Sequence, residues 1–165
     1  MSEIPTDAIK LSWQEAYDLT CELSKKIQES GQKFDAILVI PRGSYYPVNI
    51  IARDLGFTAE RLIHASVTSY IVGTSVRKTE FTTGQMPSKK DIMGKRILII
   101  DEMCDTGETL NYITNWLNDR GAESIKTGVL HFKPGANKTS YQPNWYVNET
   151  DKWIVYPWEI HENKQ

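Results

Sequence analysis

Cysteine and histidine are scarce in this chain, with two of the first and three of the second among 165 residues. Cys21 and Cys104 have no metal-ligand spacing and are too few for a disulfide framework, which favours a reducing, cytoplasmic setting. His64, His131 and His161 have no mutual spacing that suggests a metal site or a catalytic triad. Positive charge is not in excess either: 19 Lys and Arg face 21 Asp and Glu, for a formal net charge of -2. That balance argues against bulk electrostatic binding to nucleic acid. No apolar run approaches the ~20 residues that a membrane helix needs. The opening residues, Met1-Ser2-Glu3-Ile4-Pro5, lack the basic and apolar regions of a signal peptide. The expected molecule is cytoplasmic, without nucleic-acid or membrane partners. A small anionic ligand would then be drawn by local dipoles and a metal rather than by the whole surface.

What is present suits one domain with its own core: 40% of residues are hydrophobic, and five Trp and eight Tyr exceed what a minimal core requires. Helix-like and strand-like segments alternate. Ser12-Trp13-Gln14-Glu15 reads as a capping box, followed by Ala16, Leu19, Leu23 and Ile27 at helical spacing and Gly31 as a stop. The apolar run 36–40 reads as a strand buried on both faces. A helix is expected from about Pro47 to Leu55, and a strand from Arg61 to about Thr68. Residues 70–95 lose periodicity and are rich in Gly, Thr, Ser and Lys, so they read as a mobile loop. A strand resumes at 97–100, a helix is expected from about Thr109 to Arg120, and another strand from Ser124 to Phe132. Short strands are expected at 145–147 and 153–155. The pattern is α/β, a mostly parallel central sheet flanked by helices, with ligands at the carboxyl ends of its strands.

The sharpest feature is the segment Asp101-Glu102-Met103-Cys104-Asp105-Thr106-Gly107-Glu108-Thr109, directly after the run 97–100. Gly107 permits a backbone geometry in which successive N–H groups converge, and the following helix adds its dipole. Thr106 and Thr109 offer hydroxyls to the same cradle. A phosphate fits there, while the adjacent carboxylates suit ribose hydroxyls and a hard divalent cation. An acidic cluster that only caps the helix is the plainer alternative.

This segment resembles the signature of the type I phosphoribosyltransferases: apolar residues, two acids, two variable residues, then Asp-Thr-Gly-x-Thr. The resemblance implies phosphoribosyl diphosphate as substrate, Mg2+ as cofactor, and displacement of diphosphate by a nitrogen base. Asp105 points to the 6-oxopurine branch, where this carboxylate exchanges a proton with N7 and is the catalytic group. Asp101 and Glu102 are the implied metal and ribose ligands, and which of the two meets the metal stays open. The xanthine–guanine group usually has Asp-Asp here, so Glu102 is a departure.

The likeness extends over most of the chain. Pro41-Arg42-Gly43-Ser44 matches the family's diphosphate loop, in which Arg42 and Gly43 would grip diphosphate and a cis bond is frequent. Thr68-Ser69-Tyr70 resembles the opening of its mobile lid, from which Arg77 or Lys78 would reach the diphosphate. Lys133, beside Pro134, matches the lysine that donates to the purine O6. Trp153, Ile154 and Glu159 match the segment that covers the base. The resemblance also implies a homodimer or homotetramer. A transferase for another base, or a nucleotide-sensing or RNA-binding regulator on the same fold, is the alternative reading.

Overall fold

The computed structural model describes residues 4–70 and 77–159. In chain order its elements are β1 (Ile9–Lys10), α1 (Trp13–Glu29), β2 (Ala36–Val39), α2 (Tyr45–Asp54), β3 (Leu62–His64), β4 (Val67–Tyr70), β5 (Arg77–Thr83), α3 (Lys89–Ile92), β6 (Arg96–Cys104), α4 (Glu108–Asn118), β7 (Ser124–Phe132), β8 (Trp145–Glu149) and β9 (Ile154–Val155). Five strands form an all-parallel sheet in the order β3-β2-β6-β7-β8.

Parallel strands covered on both faces are apolar throughout, and the side chains of β2 and β6 alternate between two cores. Ile37, Val39, Leu98 and Ile100 pack with Leu23 and Ile27 of α1 and with Val48 and Ile51 of α2. Leu38, Ile97 and Ile99 pack on the other face with Leu110, Ile113 and Leu117 of α4 and with Ile92 of α3. Each of these fully buried side chains contributes on the order of 1.5–3 kcal/mol. The chain leaves β2 toward one sheet edge and β6 toward the other. The β2–β6 junction is thus the topological switch point, where the carboxyl ends of both strands open a crevice.

The capping box of α1 is complete: the Ser12 N–H donates to Glu15 Oε2 at 2.7 Å, and the Glu15 N–H donates to Ser12 Oγ at 3.2 Å. Helix α2 begins at Tyr45, two residues before the expected Pro47. A proline fits inside the first turn because the N–H it lacks has no intrahelical acceptor there.

Three other expectations are corrected. The single strand expected from Arg61 to Thr68 is two strands in different sheets. The Ala65 N–H still donates to Val39 O, but the Ser66 N–H donates to Gln85 O, where the chain turns away to form an antiparallel pair with β5. The stretch 70–95, read as lacking regular structure, carries β5 and α3; its residues 71–76 lie outside those described. Strand β6 runs four residues past Ile100, because β7 continues beside it and pairs as far as Cys104↔Phe132. Strand β9 pairs in parallel with β1, at Ile9↔Ile154 and Lys10↔Val155, a tie that periodicity did not reveal. Among the described residues, no helix is long and apolar enough to cross a membrane.

Candidate active site

The two loops singled out by sequence meet at the switch point. After β2, the peptide bond between Pro41 and Arg42 is cis, and Arg42 is exposed. Ser44 is fully buried, and its hydroxyl donates to Ile40 O at 2.5 Å, which closes the turn. A side chain at position 43 would overlap the Glu102 carboxyl group unless that group moved. The loop after β2 and the acidic pair on β6 are therefore in direct contact.

After β6 the chain passes through Gly107, which adopts φ 77° and caps α4 without a side-chain hydrogen bond to the helix. The Glu108 N–H meets Thr106 Oγ1 at 3.5 Å, and the positive end of the α4 dipole at this turn suits an anion. A side chain at 107 would also run into Thr139 and Asn137. Those residues belong to a covering loop that sequence reasoning missed. Its Lys138 N–H donates to Thr106 O at 2.9 Å, and the Thr139 hydroxyl donates to the same carbonyl at 3.4 Å. The Thr106 hydroxyl, expected to meet phosphate, donates here to Glu108 Oε2 at 2.8 Å. Thr109, half-buried, stands one residue further into the first turn of α4.

Lys133 continues the β6–β7 ladder, its N–H donating to Cys104 O at 2.9 Å. It is only 8% exposed and stands next to the strand end that leads into Asp105. The structure thus brings Lys133 and the Asp105 loop to the same end of adjacent strands. Arg77 opens β5, with its backbone paired to Tyr70.

The negative charge of the acids is felt locally. Asp101 is pushed up to about 7 by burial, although its carboxylate accepts the Glu102 N–H at 2.9 Å. Burial, then the charges of Asp101 and Asp105, raise the buried Cys104 thiol to about 12, which disfavours its thiolate. Tyr156 is raised far above its ordinary value by burial and by Glu102, Asp101 and Glu159. A field of this sign favours a cation. Among the described residues no three potential ligands cluster, so a divalent ion would take one or two of these carboxylates and complete its shell from a ligand. That donor set fits Mg2+, which is usually held by few carboxylates plus phosphate oxygens and water.

The C-terminal segment is tied into the fold at several points. Ile154 is 5% exposed and packs in the hydrophobic core, and the Trp153 carbonyl accepts the Ile9 N–H at 2.8 Å. That leaves the Trp153 ring, 45% exposed, as the part of the pair that meets solvent. Glu159 accepts the Tyr156 N–H at 2.9 Å and so fastens the terminal turn. The residue that reaches the acidic pair is Trp158, whose Nε1 donates to Glu102 Oε2 at 2.7 Å. Its only sequence signal was the aromatic content.

Fold and site together define a nucleotide-chemistry α/β protein with an anion cradle beside paired acids. The chain belongs to the phosphoribosyltransferase family: the phosphoribosyl transferase domain matches residues 9–165. It is similar to a purine phosphoribosyltransferase from Pyrococcus horikoshii OT3, with 30% identity, 93% of this chain and 94% of that one covered, and a TM-score of 0.74. The Helicobacter pylori xanthine-guanine-hypoxanthine phosphoribosyltransferase shares the fold at 17% identity and a TM-score of 0.75, covering 94% of this chain and 95% of that one. So does a Neisseria gonorrhoeae protein solved with bound ppGpp, at 22% identity and a TM-score of 0.74, covering 96% and 94%.

Proposed function

We propose that this chain transfers the phosphoribosyl group of 5-phosphoribosyl 1-diphosphate to N9 of a 6-oxopurine, releasing diphosphate in purine salvage. The carrying observation is the α4 start behind Gly107, a few residues after Asp101 and Glu102 near the carboxyl end of β6. An anion cradle next to a cation-favouring field suits a sugar phosphate with its phosphate on the 105–109 loop. The 5-phosphate takes the 105–109 loop, with Thr106, Gly107, Glu108 and Thr109 around it. Ribose lies over Asp101 and Glu102, and diphosphate faces Arg42 and Gly43.

Catalysis here is chiefly placement and charge neutralisation. Mg2+ held by Glu102 or Asp101 would neutralise the departing diphosphate. Asp105 manages the N7 proton as the base attacks. Lys133, buried at the end of β7, donates to the purine O6, and the base lies toward Trp153, Ile154 and Glu159. The β4–β5 hairpin, with Arg77 at the start of β5, is the lid that keeps water from the reacting carbon. We read residues 1–165 as one transferase unit in a cytoplasmic homodimer or homotetramer.

A turnover assay with phosphoribosyl diphosphate, Mg2+ and guanine, hypoxanthine, xanthine or adenine tests this reading. Turnover is expected with at least one 6-oxopurine and not with adenine, which lacks O6. Lys133→Ala should weaken the preferred base roughly tenfold to a hundredfold, the scale of a charge-assisted hydrogen bond, and leave the sugar substrate nearly unaffected. A preference for adenine would overturn the 6-oxopurine assignment.

A further inference from the structure

The Trp158 ring is stacked on both sides. It lies 4.8 Å from Tyr156 with the rings 11° apart, and 4.8 Å from Tyr46 with the rings 27° apart. Tyr46 is in the first turn of α2, just after the Pro41–Ser44 turn. Trp13, at the start of α1, closes the stack against Tyr46 at 5.3 Å and Trp158 at 6.2 Å. An indole held in this way has little freedom to turn, and its N–H is aimed at Glu102 Oε2, 2.7 Å away.

Glu102 is gripped from two more directions. Its main-chain carbonyl accepts the Tyr156 hydroxyl at 2.8 Å. That phenol has one proton and gives it to Glu102, so at the 2.8 Å contact with His131 Nδ1 it acts as acceptor, and Nδ1 carries the proton. Burial, then the charge of Lys133, lowers His131 to about 4, so the ring is the neutral tautomer with its proton on Nδ1. On the opposite side, the Glu102 carboxyl group fills the space a side chain at Gly43 would need.

We infer that Trp158 is a positioning residue for the sugar-diphosphate site: its stacked indole fixes the Glu102 carboxylate against Gly43, so that acid and diphosphate loop stand prearranged for the ribose and its cation. The inference rests on the transferase reading above. A glutamate has three side-chain torsions to immobilise, and a site that must order them during binding loses affinity. The indole is a donor only, so it anchors the carboxylate without offering a competing ligand to the cation.

Calorimetric titration of phosphoribosyl diphosphate with Mg2+ into the wild type, Trp158→Phe, Glu102→Asp and the double variant tests it. Phenylalanine keeps the stack and removes the donor, and the shorter Asp side chain falls short of the indole. Trp158→Phe should weaken binding about tenfold (about 1.4 kcal/mol). In the Glu102→Asp background it should weaken binding no further, since the two residues act as one unit. A second readout needs no ligand and no Trp158 variant: the Trp158 indole N–H resonance should move upfield and exchange faster with water in Glu102→Asp. Equal affinity of Trp158→Phe and wild type, full additivity of the two substitutions, or an indole signal unmoved in Glu102→Asp would each overturn the inference alone. A wild type that binds no phosphoribosyl diphosphate would overturn the transferase reading, and this inference with it.

Discussion

Asp35 and Asp101 sit at opposite ends of the same pair of central strands, and their surroundings treat them in opposite ways. At the amino end, the Asp35 carboxylate accepts three hydrogen bonds from Arg96: the backbone N–H at 2.9 Å, Nε at 3.0 Å and Nη2 at 2.8 Å. Those bonds hold it well below the usual carboxylate range. Nearby, Arg61 donates to Phe34 O at 2.6 Å and to Asp35 O at 3.0 Å, so backbone acceptors at this end are also satisfied. At the carboxyl end, Asp101 is pushed up to about 7, and its neighbours along the chain include Glu102 and Asp105. The amino end fastens the sheet with a paired ion. The carboxyl end keeps a carboxyl group buried without a paired cation, a cost that suits the binding site proposed there.

The contrast is broken most severely at Gly107. Gly107→Ala forces a side chain into a left-handed backbone and into Thr139 and Asn137. The combined effect is roughly 2–4 kcal/mol of lost stability, together with weaker binding of phosphoribosyl diphosphate. A melting temperature and affinity equal to wild type would mean the loop accepts another geometry. Asp105→Asn is the next largest, and it is purely chemical. It should keep sugar-diphosphate binding and the melting temperature while lowering turnover by roughly 100-fold, the scale of one proton-transfer group. Unchanged steady-state turnover would remove its role.

The two ends also differ in how much of them was legible. The 101–109 loop is contiguous, and its backbone demands fall on a glycine and a helix start, so its residues spell its geometry. The α1 capping box and the apolar runs of β2 and β6 were readable for the same local reason. The partners of that loop were not. Trp158 reaches Glu102 across 56 positions, just as at the other end Arg96 reaches Asp35 across 61. Asn137 and Thr139 look like ordinary loop residues until the fold lays them on Gly107. The β4–β5 hairpin was missed because only Val67 and Phe81 tie it to the core, too few apolar positions to show alternation. That Ile154 is held by the β1–β9 pairing and packs in the core was equally out of reach of local pattern.

Asp101→Asn sharpens the comparison from the stability side. The folded carboxyl titrates near 7, and an unfolded one near 3.9. Ionising it therefore costs stability that accumulates as pH rises from about 4 through 7. In metal-free buffer at pH 8 the asparagine variant should be the more stable protein by roughly 1–2 kcal/mol, allowing for solvent reaching this half-buried group. Near pH 4 the difference should vanish, and turnover should fall at every pH. Equal melting curves at pH 8 would mean that the burial of Asp101 carries no cost.

Asp35→Asn should have the smallest effect, and the opposite pH dependence. The Asp35 carboxyl is lowered in the folded state, first by its side-chain hydrogen bonds to Arg96 and then by the Arg96 backbone N–H. Its contribution is thus present above the unfolded value near 3.9 and is lost as pH falls through the lower folded one. Both side chains are about a third exposed, at 38% for Arg96 and 31% for Asp35, so screening limits the pair to roughly 1 kcal/mol despite its bidentate geometry. For a chain of this length that is a drop of about 2–4 °C in melting temperature at pH 7. The gap should be clearly smaller at pH 2 and go on shrinking as pH falls through the folded value, where the wild-type carboxylate also takes up its proton. Turnover at pH 7 should be unchanged, because the pair lies at the far end of the strands from the crevice. A gap of the same size at pH 2 and pH 7 would show that asparagine disturbs packing rather than charge. Lost turnover in a fully folded variant would show that the two ends of the sheet are not separate in the way their chemistry suggests.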